Sequence, residues 1–80
     1  MKLKILAFGI SRDILGGAEL TIELPDGGTV ADLKTELMRR FPEFSKLKAL
    51  AVAVNSEYAQ PGQSLQERDE VALIPPVSGG

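Results

Sequence analysis

The groups available for chemistry in this chain are few. Its 80 residues contain no Cys and no His, which removes thiolate nucleophiles, disulfides, sulfur ligands, the commonest acid-base catalyst and the commonest metal ligand together. Carboxylates, lysines and hydroxyls remain, along with one group that is not a side chain, the carboxylate that follows Pro75-Pro76-Val77-Ser78-Gly79-Gly80. Gly79 and Gly80 lack a Cβ, so their backbone fits a channel too narrow for any side chain and can approach a partner's groups closely. Pro75 and Pro76 fix their own φ, and a proline pushes the residue before it toward extended geometry, which predicts a stiff base for this tail. At roughly 3.3 Å per residue the tail reaches about 20 Å, a distance that only another protein's pocket requires.

A free carboxylate is a poor acyl donor until it is activated, normally by attack on the α-phosphate of ATP to give an acyl adenylate. The chain carries neither a Gly-x-x-x-x-Gly-Lys phosphate loop nor a Gly-x-Gly-x-x-Gly fingerprint. A helper enzyme is therefore expected to supply that step, using ATP transiently, with no cofactor held stably by this chain. A terminal Gly-Gly alone is more often a frayed end than a site. What raises this one is its position after a double proline that directly follows a strand pattern.

The elements that must position such a tail have room for one core only, because domains of this size already struggle to bury enough surface. Hydrophobic residues at 44% and charged residues at 25% are ordinary for a folded globular chain and argue against disorder. A formal charge of −2 and a pI near 5.0 give no basic excess to draw phosphates, so nucleic acid is not expected as a partner. The longest apolar runs, such as residues 50–54, fall far short of the roughly 20 residues of a membrane span. With no signal-peptide pattern at the start, the chain is expected in the cytoplasm, without a membrane association.

Residues 2–8 begin with Leu3, Ile5 and Ala7 on one face and Lys2 and Lys4 on the other, the period-2 pattern of a half-buried strand. Residues 19–24 repeat it with Leu20, Ile22 and Leu24 facing in. The two predict an antiparallel pair, joined over residues 10–17 by a long hairpin loop with room for one helical turn before Gly16-Gly17. Thr29 and Asp32 form a capping-box pattern. From there Val30, Leu33, Leu37 and Phe41 make one apolar helical stripe, and Pro42 ends the helix at Phe41. Residues 43–48 read as a polar connector with Phe44 and Leu47 dipping into the core. Residues 50–54 form a strand, Asn55-Ser56-Glu57 a turn, Tyr58-Ala59 a short edge strand, and residues 60–70 a loop anchored by Leu65. Residues 71–74 form the last strand, stopped by the prolines. Strand, strand, helix, strand, short strand, strand predicts an α+β fold in two layers, one main helix on a mixed sheet. The division is a domain over residues 1–74 and an extended tail over 75–80.

The chain as a whole resembles the ubiquitin-like β-grasp sulfur carriers, in particular the MoaD-type small subunits of molybdopterin synthase. The resemblance runs from Lys2-Leu3-Lys4-Ile5-Leu6-Ala7-Phe8, through Ser11-Arg12-Asp13-Ile14-Leu15-Gly16 and Ala53-Val54-Asn55, to Asp69-Glu70-Val71-Ala72-Leu73-Ile74 and the tail. The Pro-Pro-Val-Ser-Gly-Gly ending is its specific part, since Gly-Gly alone is shared with thiamine-type carriers and protein modifiers. It implies that an E1-like, MoeB-type enzyme adenylates Gly80, that a sulfur donor converts it to a thiocarboxylate, and that the tail enters a MoaE-type large subunit. There the sulfur passes to cyclic pyranopterin monophosphate in molybdenum cofactor biosynthesis. Gly80 then carries the sulfur, Gly79 admits it, and the catalytic side chains belong to the partner, so that the chain is no enzyme by itself. Three alternatives remain open: a ubiquitin-like modifier joined through Gly80 to lysines, a thiamine-type carrier, and a binding module with an inert tail.

In a β-grasp sheet the first and last strands are neighbours. Leu6, Phe8, Ala72 and Ile74 then share the face opposite the core and form an apolar patch at the root of the tail, a surface of the kind that marks an interface. Phe8 is its expected anchor, because aromatic residues dominate binding hot spots. The competing expectation is that the segment carrying Ile10, Ile14 and Leu15 folds over the patch. Asp69 or Glu70 is a weaker candidate for an electrostatic contact with a basic partner, and Asn55 is read as supporting a turn.

Overall fold

The structure, a computed structural model, describes residues 1–46 and 50–75. Leu47, and Pro76, Val77, Ser78, Gly79 and Gly80 of the tail, lie outside the described residues.

Alternation of apolar and polar residues builds the sheet. Strand β1 (Lys2–Ala7) buries Leu3, Ile5 and Ala7 and leaves Lys2 and Lys4 exposed. It pairs antiparallel with β2 (Glu19–Glu23), Leu3 opposite Ile22 and Ile5 opposite Leu20. Between them the expected loop is instead a short helix, α1 (Ile10–Leu15), closed by Gly16 in the left-handed conformation at φ 79°, where a residue without Cβ carries no steric penalty. Six residues are too few for a helix to stand on propensity. This one is held by its neighbours, as Ile14 and Leu15 pack against the core cluster.

Helix α2 (Val30–Arg40) starts on the expected capping box. The Thr29 side chain accepts from the Asp32 amide at 3.3 Å and the Asp32 carboxylate accepts from the Thr29 amide at 2.9 Å. Val30, Leu33 and Leu37 are fully buried against the sheet, and the helix stops before Pro42, with Phe41 at the cap. The polar connector that follows is a 3₁₀ helix over Pro42–Lys46, and it buries Phe44, whose ring meets Phe41 edge-on at 6.2 Å.

Strand β3 (Ala51–Val54) turns through Asn55 and Ser56, both at positive φ (53° and 71°), into the two-residue β4 (Glu57–Tyr58). Positive φ at both central residues marks the hairpin turn whose twist matches that of its strands. The last strand, β5 (Glu70–Ile74), runs parallel to β1 and antiparallel to β3. The sheet order is β2-β1-β5-β3-β4, a mixed sheet with α2 across one face, which is the β-grasp arrangement expected. Leu65 anchors the long connection into β5, being 2% exposed.

Candidate functional site

Because β1 and β5 are parallel neighbours at the centre of the sheet, they end at the same edge. Ala7 lies opposite Leu73 and Leu6 opposite Ala72, and carrying the register on by one residue sets Phe8 beside Ile74. The inward series Leu3, Ile5, Ala7, Val71, Leu73 is buried. The pleat therefore turns Leu6, Ala72 and Ile74 to the opposite face, and Phe8 follows directly on the end of β1. The expected patch is brought together: Leu6, Ala72 and Ile74 are half-buried, and Phe8 is 53% exposed.

The patch is wider than the sequence reading made it. Ala53 is opposite both Ala72 and Tyr58, and Ala51 is opposite Ile74, so one row on this face runs Leu6, Ala72, Ala53, Tyr58. Tyr58 is 74% exposed. The signal for it was present in the alternation of residues 50–54, which puts Ala51 and Ala53 opposite the core side. Small residues there leave the face flat, and an aromatic ring stands at each side of it. Away from the tail the same face becomes charged, with Lys4 paired to Glu19 at 3.4 Å and facing Glu70 in the register.

The segment expected to compete for the patch lies elsewhere. Ile14 and Leu15 of α1 pack with the core residues, and α1 contacts β1, β2 and the 3₁₀ helix. Ile10 points to solvent at 49% exposure. Helix α1 thus leaves the face uncovered, although Ala53 in the middle of it is only 6% exposed.

At the root of the tail the structure adds Gly9, to which the sequence alone assigned no role. Gly9 has φ 57° and ψ −134°, a conformation that costs glycine little and other residues much. A Cβ on Gly9 would lie 3.3 Å from Cγ of Pro75. Gly9 therefore leaves room for the first residue of the tail to lie against the end of β1, and Pro75 itself is half-buried.

Asn55 does more than support its turn. Its amide group donates to the Asp69 carboxylate at 3.0 Å, its side-chain oxygen accepts from the Glu70 amide at 3.0 Å, and its backbone N–H donates to the Glu70 carbonyl at 2.8 Å. The second Asp69 carboxylate oxygen accepts from the Gln66 amide at 2.8 Å. Asp69 is thereby occupied in shaping the turn that starts β5, whereas Glu70 stays exposed at the margin of the open face. In the other layer Glu36 is drawn below the ordinary carboxylate range by hydrogen bonds from Arg39 and Arg40, on α2 and remote from the patch. Among the described residues no group of acidic side chains is arranged to hold a metal ion, and no helix is long and apolar enough to cross a membrane.

Comparison with known proteins places this geometry. The chain is 41% identical to the molybdopterin synthase sulfur carrier subunit of Chlamydomonas reinhardtii, with both chains covered completely. Among solved structures it superposes on a Pyrococcus furiosus chain described as a candidate molybdopterin converting factor subunit 1, with a TM-score of 0.88, 32% identity, and 96% of this chain and 99% of that one covered. A chain of a Helicobacter pylori complex of subunits 1 and 2 of molybdopterin-converting factor matches with a TM-score of 0.69 and 25% identity over the whole of both chains. The model of the ThiS family matches residues 5–80, so the β-grasp sheet, the open apolar face beside Pro75 and the Gly-Gly ending belong to a chain of the ThiS family.

Proposed function

We propose that this protein is the sulfur-carrier small subunit of a molybdopterin synthase and that its reactive group is the carboxylate of Gly80. In the first step that carboxylate attacks the α-phosphate of ATP on an E1-like, MoeB-type enzyme, and pyrophosphate leaves. A sulfur donor then displaces AMP, so that sulfur replaces one carboxylate oxygen. The thiocarboxylate tail enters the MoaE-type large subunit, which supplies the catalytic side chains and passes the sulfur to cyclic pyranopterin monophosphate. The chain contributes no catalytic side chain in this cycle; it delivers and it docks.

The observation that carries the reading is the parallel pairing of β1 with β5. It ends both strands beside the tail and gathers Leu6, Phe8, Ala72 and Ile74 into an apolar face that leads to Pro75. A carrier needs such a surface next to its stalk, so that docking and insertion occur together. The full-length similarity to a sulfur carrier subunit, and the two-subunit assembly formed by a structural neighbour, support the large subunit as the partner.

The test is capture of the large subunit and of the adenylating enzyme on immobilised carrier, with and without Gly79-Gly80. The intact chain is expected to retain both partners. The shortened chain is expected to keep a folded domain and part of its docking but to support no sulfur transfer. Unchanged transfer without the two glycines would overturn the proposal.

A further inference from the structure

Ser11 is completely buried, the one polar side chain so placed among the described residues. Its hydroxyl accepts from the Phe8 N–H at 3.0 Å and donates to the Phe8 carbonyl. The Ser11 amide donates to that same carbonyl at 3.2 Å. Both backbone polar groups of Phe8 are thus held by one residue, at the point where β1 has ended and the pleat no longer fixes direction. A buried hydroxyl is costly unless both its capacities are used, and here both are spent on Phe8. The next residue, Gly9, lies against Pro75, so the peptide that Ser11 clamps is also the one that borders the tail.

We propose that Ser11 is a positioning residue for docking, holding the Phe8 backbone so that the ring is presented at the root of the tail before the partner arrives. The inference rests on the apolar face being the surface for the large subunit. Ordering a side chain and its backbone at the moment of association weakens binding, and doing so in advance recovers about three- to tenfold in affinity.

The test is a double-mutant cycle on the full chain, with the dissociation constant for the large subunit measured well below the unfolding midpoint. Ser11→Ala is expected to weaken binding about three- to tenfold, and that loss is expected to vanish when Phe8→Ala is already present, because there is no ring left to position. Leu65→Ala, which destabilises the core away from the open face, is expected to bind as the native chain does. Should Ser11→Ala fail to fold, Ser11→Cys, nearly equal in size and a weak hydrogen-bonding group, takes its place in the cycle. Native binding by the Ser11 variant, or an equal loss with and without the Phe8 ring, would overturn the inference while leaving the docking face intact. Native binding by Phe8→Ala alone would overturn the docking face itself, and the inference with it.

Discussion

Gly9 and Pro75 meet at the point where the two central parallel strands end, a Cβ on Gly9 falling 3.3 Å from Pro75 Cγ. Two residues far apart in sequence thus pack together where Pro75 follows the last strand. Gly9→Val adds a branched side chain to a backbone at φ 57° and toward the proline ring. The expected loss of stability is about 2 kcal/mol, measured by urea unfolding. Adding Pro75→Ala is expected to recover the part due to the contact and not the part due to the backbone.

The open face can be tested without touching the core. Phe8→Asp and Tyr58→Asp alter side chains that are 53% and 74% exposed, so each is expected to leave the unfolding midpoint nearly unchanged. Each is expected to weaken binding of the large subunit by about tenfold or more, as removal of an interfacial aromatic anchor commonly does. Calorimetric titration reads both variants. A loss at Phe8 with none at Tyr58 would confine the docking surface to the β1–β5 half of the sheet.

Asn55 joins a turn at positive φ to the beginning of β5 through two side-chain hydrogen bonds. Asn tolerates that conformation better than most residues. Asn55→Ala is expected to cost about 2 kcal/mol, roughly 1 kcal/mol per lost hydrogen bond. Faster amide exchange is expected at Glu70, followed by hydrogen-exchange NMR.

The core is small enough for a single cavity to matter. Leu33 is fully buried between α2 and the sheet. Leu33→Ala is expected to cost about 2–5 kcal/mol, against a total of roughly 4–12 kcal/mol for a domain of this length. Thermal unfolding of this variant is expected to begin at temperatures where the native chain remains folded.

Much of this architecture was legible in residue patterns because its signals are local. Alternation in Leu3, Ile5, Ala7 and again in Leu20, Ile22, Leu24 marked the strands, and Thr29 with Asp32 marked the start of α2. Pro42 marked its end. The pairing of first and last strands came through resemblance, since nothing local in residues 2–8 announces a partner in residues 70–74. Where the reading fell short, the cause is a contact between distant segments. Helix α1 and the 3₁₀ turn after α2 are too short for periodicity to declare them, and they persist by packing Ile14, Leu15 and Phe44 into the core. Tyr58 joins the open face only through the pairing of the two-residue β4 with Ala53. Gly9 gains its meaning from Pro75, and Ser11 from Phe8, neither visible until the chain is folded.

The central claim is that the Gly80 carboxylate is the sulfur-bearing group. Intact-mass spectrometry of the full chain after incubation with the adenylating enzyme, ATP and a sulfur donor tests it most directly. The account requires one sulfur in place of one oxygen, located by fragmentation to Gly80 and absent when ATP is withheld. An unchanged mass with every component supplied, or sulfur found at any other residue, would contradict it.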